Sequence, residues 1–309
     1  MEKNTAPLHG GLIIYKKAGM TSFDVIRYLK SHYIGLPREA RRAKWGHSGT
    51  LDPFATGVLM ILLGNATRLQ DELHLLPKTY RAEITLGATS DTDDSTGVLL
   101  SLPRRGGGEV PKSEILAALD QIKQQTSQIP PDYAAIKIKG RKMYDLAREG
   151  KTIVKKPRPI TIHDIHLESY EYPSLTISVT CSTGTYIRSI ARDIGELLGT
   201  GAYCSALTRT AIGLFSIENA RAVEDTLRDP ISALIPLEQL VSHIPFQIYS
   251  ESNVAKLKSG REVECEENVP AHTPIALFNV EKKLFGIGIR ETRLATIKPK
   301  KIFPSSPGS

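Results

Sequence analysis

Residues 46–63 read Gly46-His47-Ser48-Gly49-Thr50-Leu51-Asp52-Pro53-Phe54-Ala55-Thr56-Gly57-Val58-Leu59-Met60-Ile61-Leu62-Leu63. The second half, Val58 to Leu63, is the longest apolar run in the chain and suits a strand covered on both faces. A bilayer span needs about 20 such residues, so no membrane helix is expected. The first half sets three glycines and a proline around one carboxylate, directly before that strand. It reads as a tight loop presenting Asp52 from a rigid edge, with backbone permissive enough for close ligand approach. From loop chemistry alone, an Asp that merely closes a turn is the favoured reading.

Outward from this stretch, Gly11 to Lys17 reads as a strand ended by Gly19, and Thr21 or Ser22 can cap a helix carrying Val25, Ile26, Leu29 and Tyr33. Tyr80 to Leu86 alternates as a strand, and Ala88 to Gly97 is a polar turn region. Ser113 is placed to cap a helix carrying Ile115, Leu116, Leu119 and Ile122. Tyr133 to Ile138 is extended, and Arg141 to Glu149 suits a short helix ended by Gly150. Strands are expected at Asp164–Tyr170 and Leu175–Cys181, then a helix from Tyr186 to Leu198 stopped by Gly199. This irregular alternation points to an α+β domain with a mixed sheet. Beyond Pro245, the segments Ile275–Phe278, Leu284–Ile289 and Leu294–Ile297 read as short strands of a small β-rich module, with a disordered tail from Pro304. The expected division is 1–244 and 245–309.

The chain has 309 residues with 40 Lys and Arg against 33 Asp and Glu, a formal charge of +7 that permits a polyanionic partner. Cys181, Cys204 and Cys265 are three in number and far apart, fitting neither a disulfide framework nor a zinc site. No apolar stretch follows the N-terminus, so no secretory signal is expected and the cytoplasm is the natural compartment.

The segment around Asp52 closely resembles motif II of the bacterial tRNA pseudouridine synthase B (TruB) family, which isomerises uridine 55 in the T-loop of tRNA. The resemblance continues through Lys16-Lys17-Ala18-Gly19-Met20-Thr21-Ser22, Lys78-Thr79-Tyr80-Arg81, Pro130 to Gly150, Gly184-Thr185-Tyr186-Ile187-Arg188-Ser189 and Leu207-Thr208-Arg209. The first block departs from the family's Lys-Pro-x-Gly-x-Thr-Ser by carrying Lys17 in place of proline. The resemblance implies a central mixed, mainly antiparallel sheet flanked by helices, and a PUA-like RNA-binding module after residue 245. It also implies an RNA-gripping insertion at about 124–152.

Pseudouridine formation breaks the N-glycosidic bond, turns the uracil and rejoins the sugar to C5, so it needs a nucleophile or charge stabiliser and no cofactor. The resemblance gives Asp52 the nucleophile's position. It makes Arg188 the guanidinium that compensates its charge, in a bidentate pair, and Tyr80 the ring that stacks on the flipped base. By the same resemblance Tyr186 and Leu207 line that pocket, and His47 is expected to fill the gap left in the RNA once the base is out. Lys16, Arg141 and Arg148 are candidate RNA contacts, with Arg38, Arg41, Arg42, Lys44, Lys137, Lys139 and Lys142 as further phosphate binders. The implied partner is the T-arm of tRNA, bound by a monomer with no obligate protein partner and no membrane.

Other chemistries fit less well. Asp91-Thr92-Asp93-Asp94-Ser95-Thr96-Gly97 has Thr96 and Leu102 where a calcium loop needs Gly and Glu. Gly46-His47-Ser48-Gly49 is one residue short of a hydrolase elbow, and His163 and His166 have no partner at zinc spacing. A non-catalytic RNA-binding or tRNA-folding protein remains an alternative, as does a synthase acting on a different RNA.

Overall fold

A computed structural model describes residues 9–32, 43–102, 104, 107–133, 137–138, 141–142, 155–265, 269–291 and 295–304. Its main sheet has eight strands: β1 (Gly10–Lys16), β2 (Trp45–His47), β3 (Thr56–Leu63), β4 (Lys78–Leu86), β5 (Ile162–Glu171), β6 (Ser174–Cys181), β7 (Ala202–Ile212) and β8 (Phe215–Ser216). The order is β1-β3-β7-β4-β6-β5, with β2 beside β3 and β8 against β7. Among the described strands of this sheet only β3 and β7 run parallel, through Thr56 opposite Thr208 and Gly57 opposite Arg209. The other pairings are antiparallel, which makes the sheet mixed and mainly antiparallel.

The apolar run in β3 is explained by what covers each face. Leu59, Ile61 and Leu63 point, with Leu12 and Ile14 of β1, into a core closed by Val25, Ile26 and Leu29 of helix α1 (Ser22–His32). Val58, Met60 and Leu62 point the opposite way, as the period of two requires, into a core shared with Ala276, Leu284, Ile287 and Phe303. Each such side chain contributes about 1.5–3 kcal/mol on burial. A third core lies between β4, β6 and β7 and two helices, α3 (Lys112–Lys123) and α4 (Ile187–Leu198). The short helix α2 (Gln70–His74) sits between β3 and β4. Gly195 lets α4 close on β7, because a Cβ there would lie 2.3 Å from the Ala202 nitrogen.

A second, five-stranded sheet comprises β9 (Phe246–Tyr249), β10 (Val263–Glu264), β11 (Pro274–Asn279), β12 (Leu284–Arg290) and β13 (Thr296–Ile302), in the order β9-β11-β12-β13-β10. Its helix α5 (Glu251–Lys258) buries Leu257 against Tyr249, Val263 and Ile275. The β-rich C-terminal segment does not stand apart, since its residues complete the core behind β3. Lys301 also pairs with Asp71 and Glu72 of α2, each at 2.9 Å.

Several local expectations are corrected. Helix α3 starts at Lys112 after Pro111, so Ser113 lies inside its first turn and is not its cap; Leu116 faces solvent and Ala118 takes its place in the core. Arg141 and Lys142 are strand, paired with Lys137 and Ile138, so no helix begins at Arg141. Ala88–Ser90 and Leu99–Ser101 form a small hairpin around the expected turn. Thr21 caps α1: its Oγ1 accepts from the Asp24 amide at 3.0 Å, while the Thr21 amide donates to Asp24 Oδ2 at 3.0 Å. Among the described residues, no helix is long and apolar enough to cross a membrane.

Candidate active site

Strands β2 and β3 form a hairpin whose connection, residues 48–55, carries Asp52. Side chains from elsewhere, the Gly19 amide and the connection's own Ala55 amide hold it by its carbonyls, one after another. Ser48 O accepts from His74 Nδ1 at 3.0 Å, and Gly49 O and Thr50 O accept from Arg209 Nη2 and Nη1 at 3.2 Å each. Leu51 is held at both ends by the buried Ser22 hydroxyl, which donates to its O at 3.1 Å and accepts from its N at 2.9 Å. Asp52 O accepts from the Ala55 amide at 3.2 Å, and Pro53 O from the Gly19 amide at 2.8 Å. Gly57, at φ +105°, admits the Arg209 backbone: a Cβ there would sit 2.2 Å from Arg209 O.

Lys16 takes part in this grip, and its expected role as an RNA contact is corrected. It is fully buried, and its ammonium donates to Met20 O at 2.8 Å, Lys17 O at 3.0 Å and Pro53 O at 3.2 Å. Burial lowers its pKa to about 8, so at neutral pH it remains a cationic donor to three carbonyls. Lys17, standing where the resembling motif has proline, is exposed and pairs with Glu224 at 3.1 Å.

The Asp52 carboxylate, with 32% of its side chain exposed, faces a pocket of about 320 Å³. Tyr80, Tyr186, Leu207, His74, Lys78 and Arg209 line it with residues 182–185. Arg188 Nε lies 2.9 Å from Asp52 Oδ2, in ion-pair contact though its N–H is not aimed along a hydrogen bond. The expected bidentate pair is therefore absent. Arg188 turns its other nitrogens elsewhere: Nη1 to Asp94 Oδ2 at 3.2 Å and Thr92 O at 3.0 Å, and Nη2 to Tyr133 O at 3.3 Å. Asp94 is itself buried, with Oδ1 accepting from Thr92 Oγ1, Thr96 N and Thr96 Oγ1 at 2.8, 2.9 and 2.5 Å. One buried guanidinium thus bridges two carboxylates, one facing the pocket and one sealed.

Tyr80 is nearly buried and its pKa is raised by desolvation against the opposing Arg209, so it is a neutral phenol at physiological pH. Burial also raises Tyr186, whose backbone is fixed by the buried Gln128: the Tyr186 amide donates to Oε1 at 2.9 Å and Nε2 donates to Tyr186 O at 3.1 Å. Lys78 is lowered to about 8 by burial and donates to Leu76 O at 2.7 Å and to His74 O. His47 lies on β2, half-buried and outside the pocket lining, with a buried Nδ1 that makes no hydrogen bond and a pKa lowered by desolvation. Arg148, Arg38, Arg41, Arg42 and Lys139 fall outside the described residues. Only the backbone of Lys137, Arg141 and Lys142 is described, and Lys44 is exposed.

Sequence reasoning missed Arg209, Asp94, Gln128 and His74. Arg209 stood inside a quoted block, but the carbonyls it holds lie in a distant loop and left no signal in the sequence. Asp94 stood in the acidic stretch considered only for calcium. Among the described residues, no group of His, Cys, Asp and Glu is arranged to hold a metal ion.

Residues 38–187 match the model of the TruB family pseudouridylate synthase (N terminal domain). Three curated proteins named tRNA pseudouridine synthase B are similar over nearly their whole lengths. That of Dehalococcoides mccartyi is 36% identical, covering 96% of this chain and 97% of the relative. That of Clostridium tetani is 37% identical over 91% and 95%, and that of Bacillus subtilis 34% identical over 96% and 97%. Among solved structures, a Cbf5-Nop10-Gar1 complex contains a chain of similar fold, with TM-score 0.72 at 24% identity over 96% of this chain and 84% of that one. A chain of an H/ACA RNP bound to a substrate RNA gives 0.70 at 23% identity, over 96% and 85%.

Proposed function

The chain belongs to the TruB family of pseudouridylate synthases, and we propose that it isomerises uridine 55 in the T-loop of tRNA with Asp52 as the nucleophile. The observation that carries this reading is the pocket-facing Asp52 carboxylate, 2.9 Å from the buried Arg188 and walled by Tyr80, Tyr186 and Leu207. In the reaction the bond between C1′ and N1 breaks and one between C1′ and C5 forms. The C5 proton leaves to solvent and N1 regains one, so no oxidant or reductant is consumed. A carboxylate that adds to sugar or base divides this exchange into easier steps. Arg188 supplies the counter-charge that such a group needs away from bulk water, and the neutral Tyr80 ring offers a stacking face for the uracil.

Reaching the base requires flipping it from its loop, at a cost of a few kcal/mol. We assign His47, on the edge beside the pocket, to the space it vacates. The insertion at 124–152, with Arg141 and Arg148, is assigned to gripping the T-arm, and the 245–309 segment to PUA-like RNA contact outside the loop. The +7 charge supports a polyanionic partner. The chain is read as a monomer of the cytoplasm, a compartment that suits three buried cysteines that form no disulfide.

The test is tritium release from a T-arm stem-loop labelled at C5 of its uridines. One equivalent released per stem-loop is expected. No release with binding retained would overturn the catalytic reading and leave an RNA-binding protein. Release from another RNA but not from this one would overturn the substrate assignment alone.

A further inference from the structure

Two segments far apart in sequence wall the pocket, residues 49–52 and 182–187, and the imidazole of His74 is hydrogen-bonded to Ser48, immediately before the first, and to Thr183 in the second. Its Nδ1 lies 3.0 Å from Ser48 O, at the root of the Asp52 loop. Its Nε2 lies 3.0 Å from Thr183 Oγ1, in the turn that leads into Tyr186 and Arg188. A carbonyl only accepts, so Nδ1 carries the proton. In the neutral ring, Nε2 then accepts from the Thr183 hydroxyl.

The ring's own footing is fixed from two sides. His74 ends α2, whose Asp71 and Glu72 are pinned by Lys301 from the second sheet, and its carbonyl accepts from the buried Lys78 ammonium. Its neighbour on the Asp52 loop is held too, because Arg209 takes the next two carbonyls, Gly49 O and Thr50 O. Thr183 hangs on the opposite wall, which Gln128 fixes at Tyr186.

We propose that His74 and Thr183 form a strap that sets the distance between the Asp52 loop and the wall carrying Tyr186 and Arg188, making His74 a positioning residue for the reaction. The inference rests on the catalytic reading above. A nucleophile and its target must meet within a few tenths of an ångström of the productive separation, and a displacement of about 1 Å costs on the order of a hundredfold in rate. The strap joins protein groups of the two pocket walls, so its loss is expected to fall on the chemical step.

The experiment measures single-turnover pseudouridine formation at saturating T-arm stem-loop, with the dissociation constant measured in parallel. His74→Leu and Thr183→Val are each expected to slow the step by about ten- to a hundredfold, with affinity held within about twofold. Combining them should cost no more than the worse single change, because both cut one connection. Thr183→Ser, which keeps the hydroxyl, restores the rate; it also separates the strap from mere packing, because the lost methyl does not bear on the bond. The strap is overturned if His74→Leu turns over at the parental rate, if the two changes multiply, if Thr183→Ser is as slow as Thr183→Val, or if the loss appears in affinity alone. A parental chain that binds the stem-loop and makes no pseudouridine removes the catalytic reading and the strap together. An active parent with a fast His74→Leu variant removes only the strap.

Discussion

The loops 48–55 and 91–97 each deliver a carboxylate to Arg188, Asp52 at 2.9 Å and Asp94 at 3.2 Å, yet they are built on opposite plans. The first is held through its main chain by residues from β1, α1, α2 and β7, which leaves the Asp52 side chain 32% exposed and facing the pocket. The second holds the carboxylate itself. Thr92 and Thr96 of the same loop occupy Asp94 Oδ1 with three donors, and the side chain is 5% exposed. A carboxylate fixed through its backbone keeps its oxygens available for bond formation, whereas one whose oxygens are occupied is a standing negative charge. The contrast assigns chemistry to Asp52 and support of Arg188 to Asp94.

The contrast breaks most severely if the shared cation is removed. Arg188→Ala is expected to lower kcat by about a thousandfold, the scale of losing a preorganised charge partner, with tRNA affinity within a few fold. A binding defect that exceeds the rate defect would give Arg188 a role in docking. Asp94→Asn should slow the step by about ten- to a hundredfold, since Arg188 loses one of its two ionic anchors. In an Arg188→Ala background the same change should cost almost nothing further, and a double-mutant cycle reads that coupling directly.

Ser22→Ala strips the hydroxyl from both ends of Leu51 and leaves a buried amide and carbonyl without that partner. Urea titration should show about 1–3 kcal/mol lost, with a smaller effect on kcat than Asp94→Asn because the remaining carbonyl contacts still hold the loop. An unchanged midpoint would mean water replaces the hydroxyl there.

The smallest effect belongs to Asp93, the neighbour of Asp94, which is held in the left-handed region at φ +59° and paired with Arg192 at 2.8 Å. Burial outweighs that pairing and raises its pKa from 3.8 to about 6. Between these values the folded chain binds a proton that the unfolded chain has released, so this group's contribution to stability is largest below the window and is lost as pH rises through it. Asp93→Asn removes that slope. The stability difference, variant minus parent, should therefore increase with pH across the window, and a flat difference in chemical denaturation would contradict the shift.

Part of this arrangement was legible from residue patterns and part only through the family resemblance, and the exceptions share a cause. The β3 run announced a strand covered on both faces, whereas Asp52, Tyr80 and Arg188 were picked out through the resemblance, from separate blocks that the fold brings together. Strand β7, at the centre of the sheet, was missed because bulges at Cys204/Ala206 and Arg209/Ala211 break its alternation, and Thr208 and Thr210 fall where a period of two counted from Ala202 expects apolar residues. Lys16 was counted among the RNA contacts, though lysine is rarely buried and here the tertiary fold supplies three carbonyls that hold it. Arg209, His74 and Gln128 act on backbone carbonyls and amides of distant loops, partners that leave no trace in side-chain spacing. Asp94 was hidden by its own motif, whose hydroxyls and carboxylates resemble an ion-binding loop until Arg188 is seen beside them.

The division of labour between the two carboxylates is tested most directly by single-turnover tritium release from a saturating T-arm stem-loop, comparing Asp52→Asn with Asp94→Asn at matched occupancy. The account predicts no release by Asp52→Asn at any time, and slow release by Asp94→Asn that still reaches one equivalent. Release by Asp52→Asn at a rate equal to or above that of Asp94→Asn would contradict it, taking the nucleophile's role from Asp52.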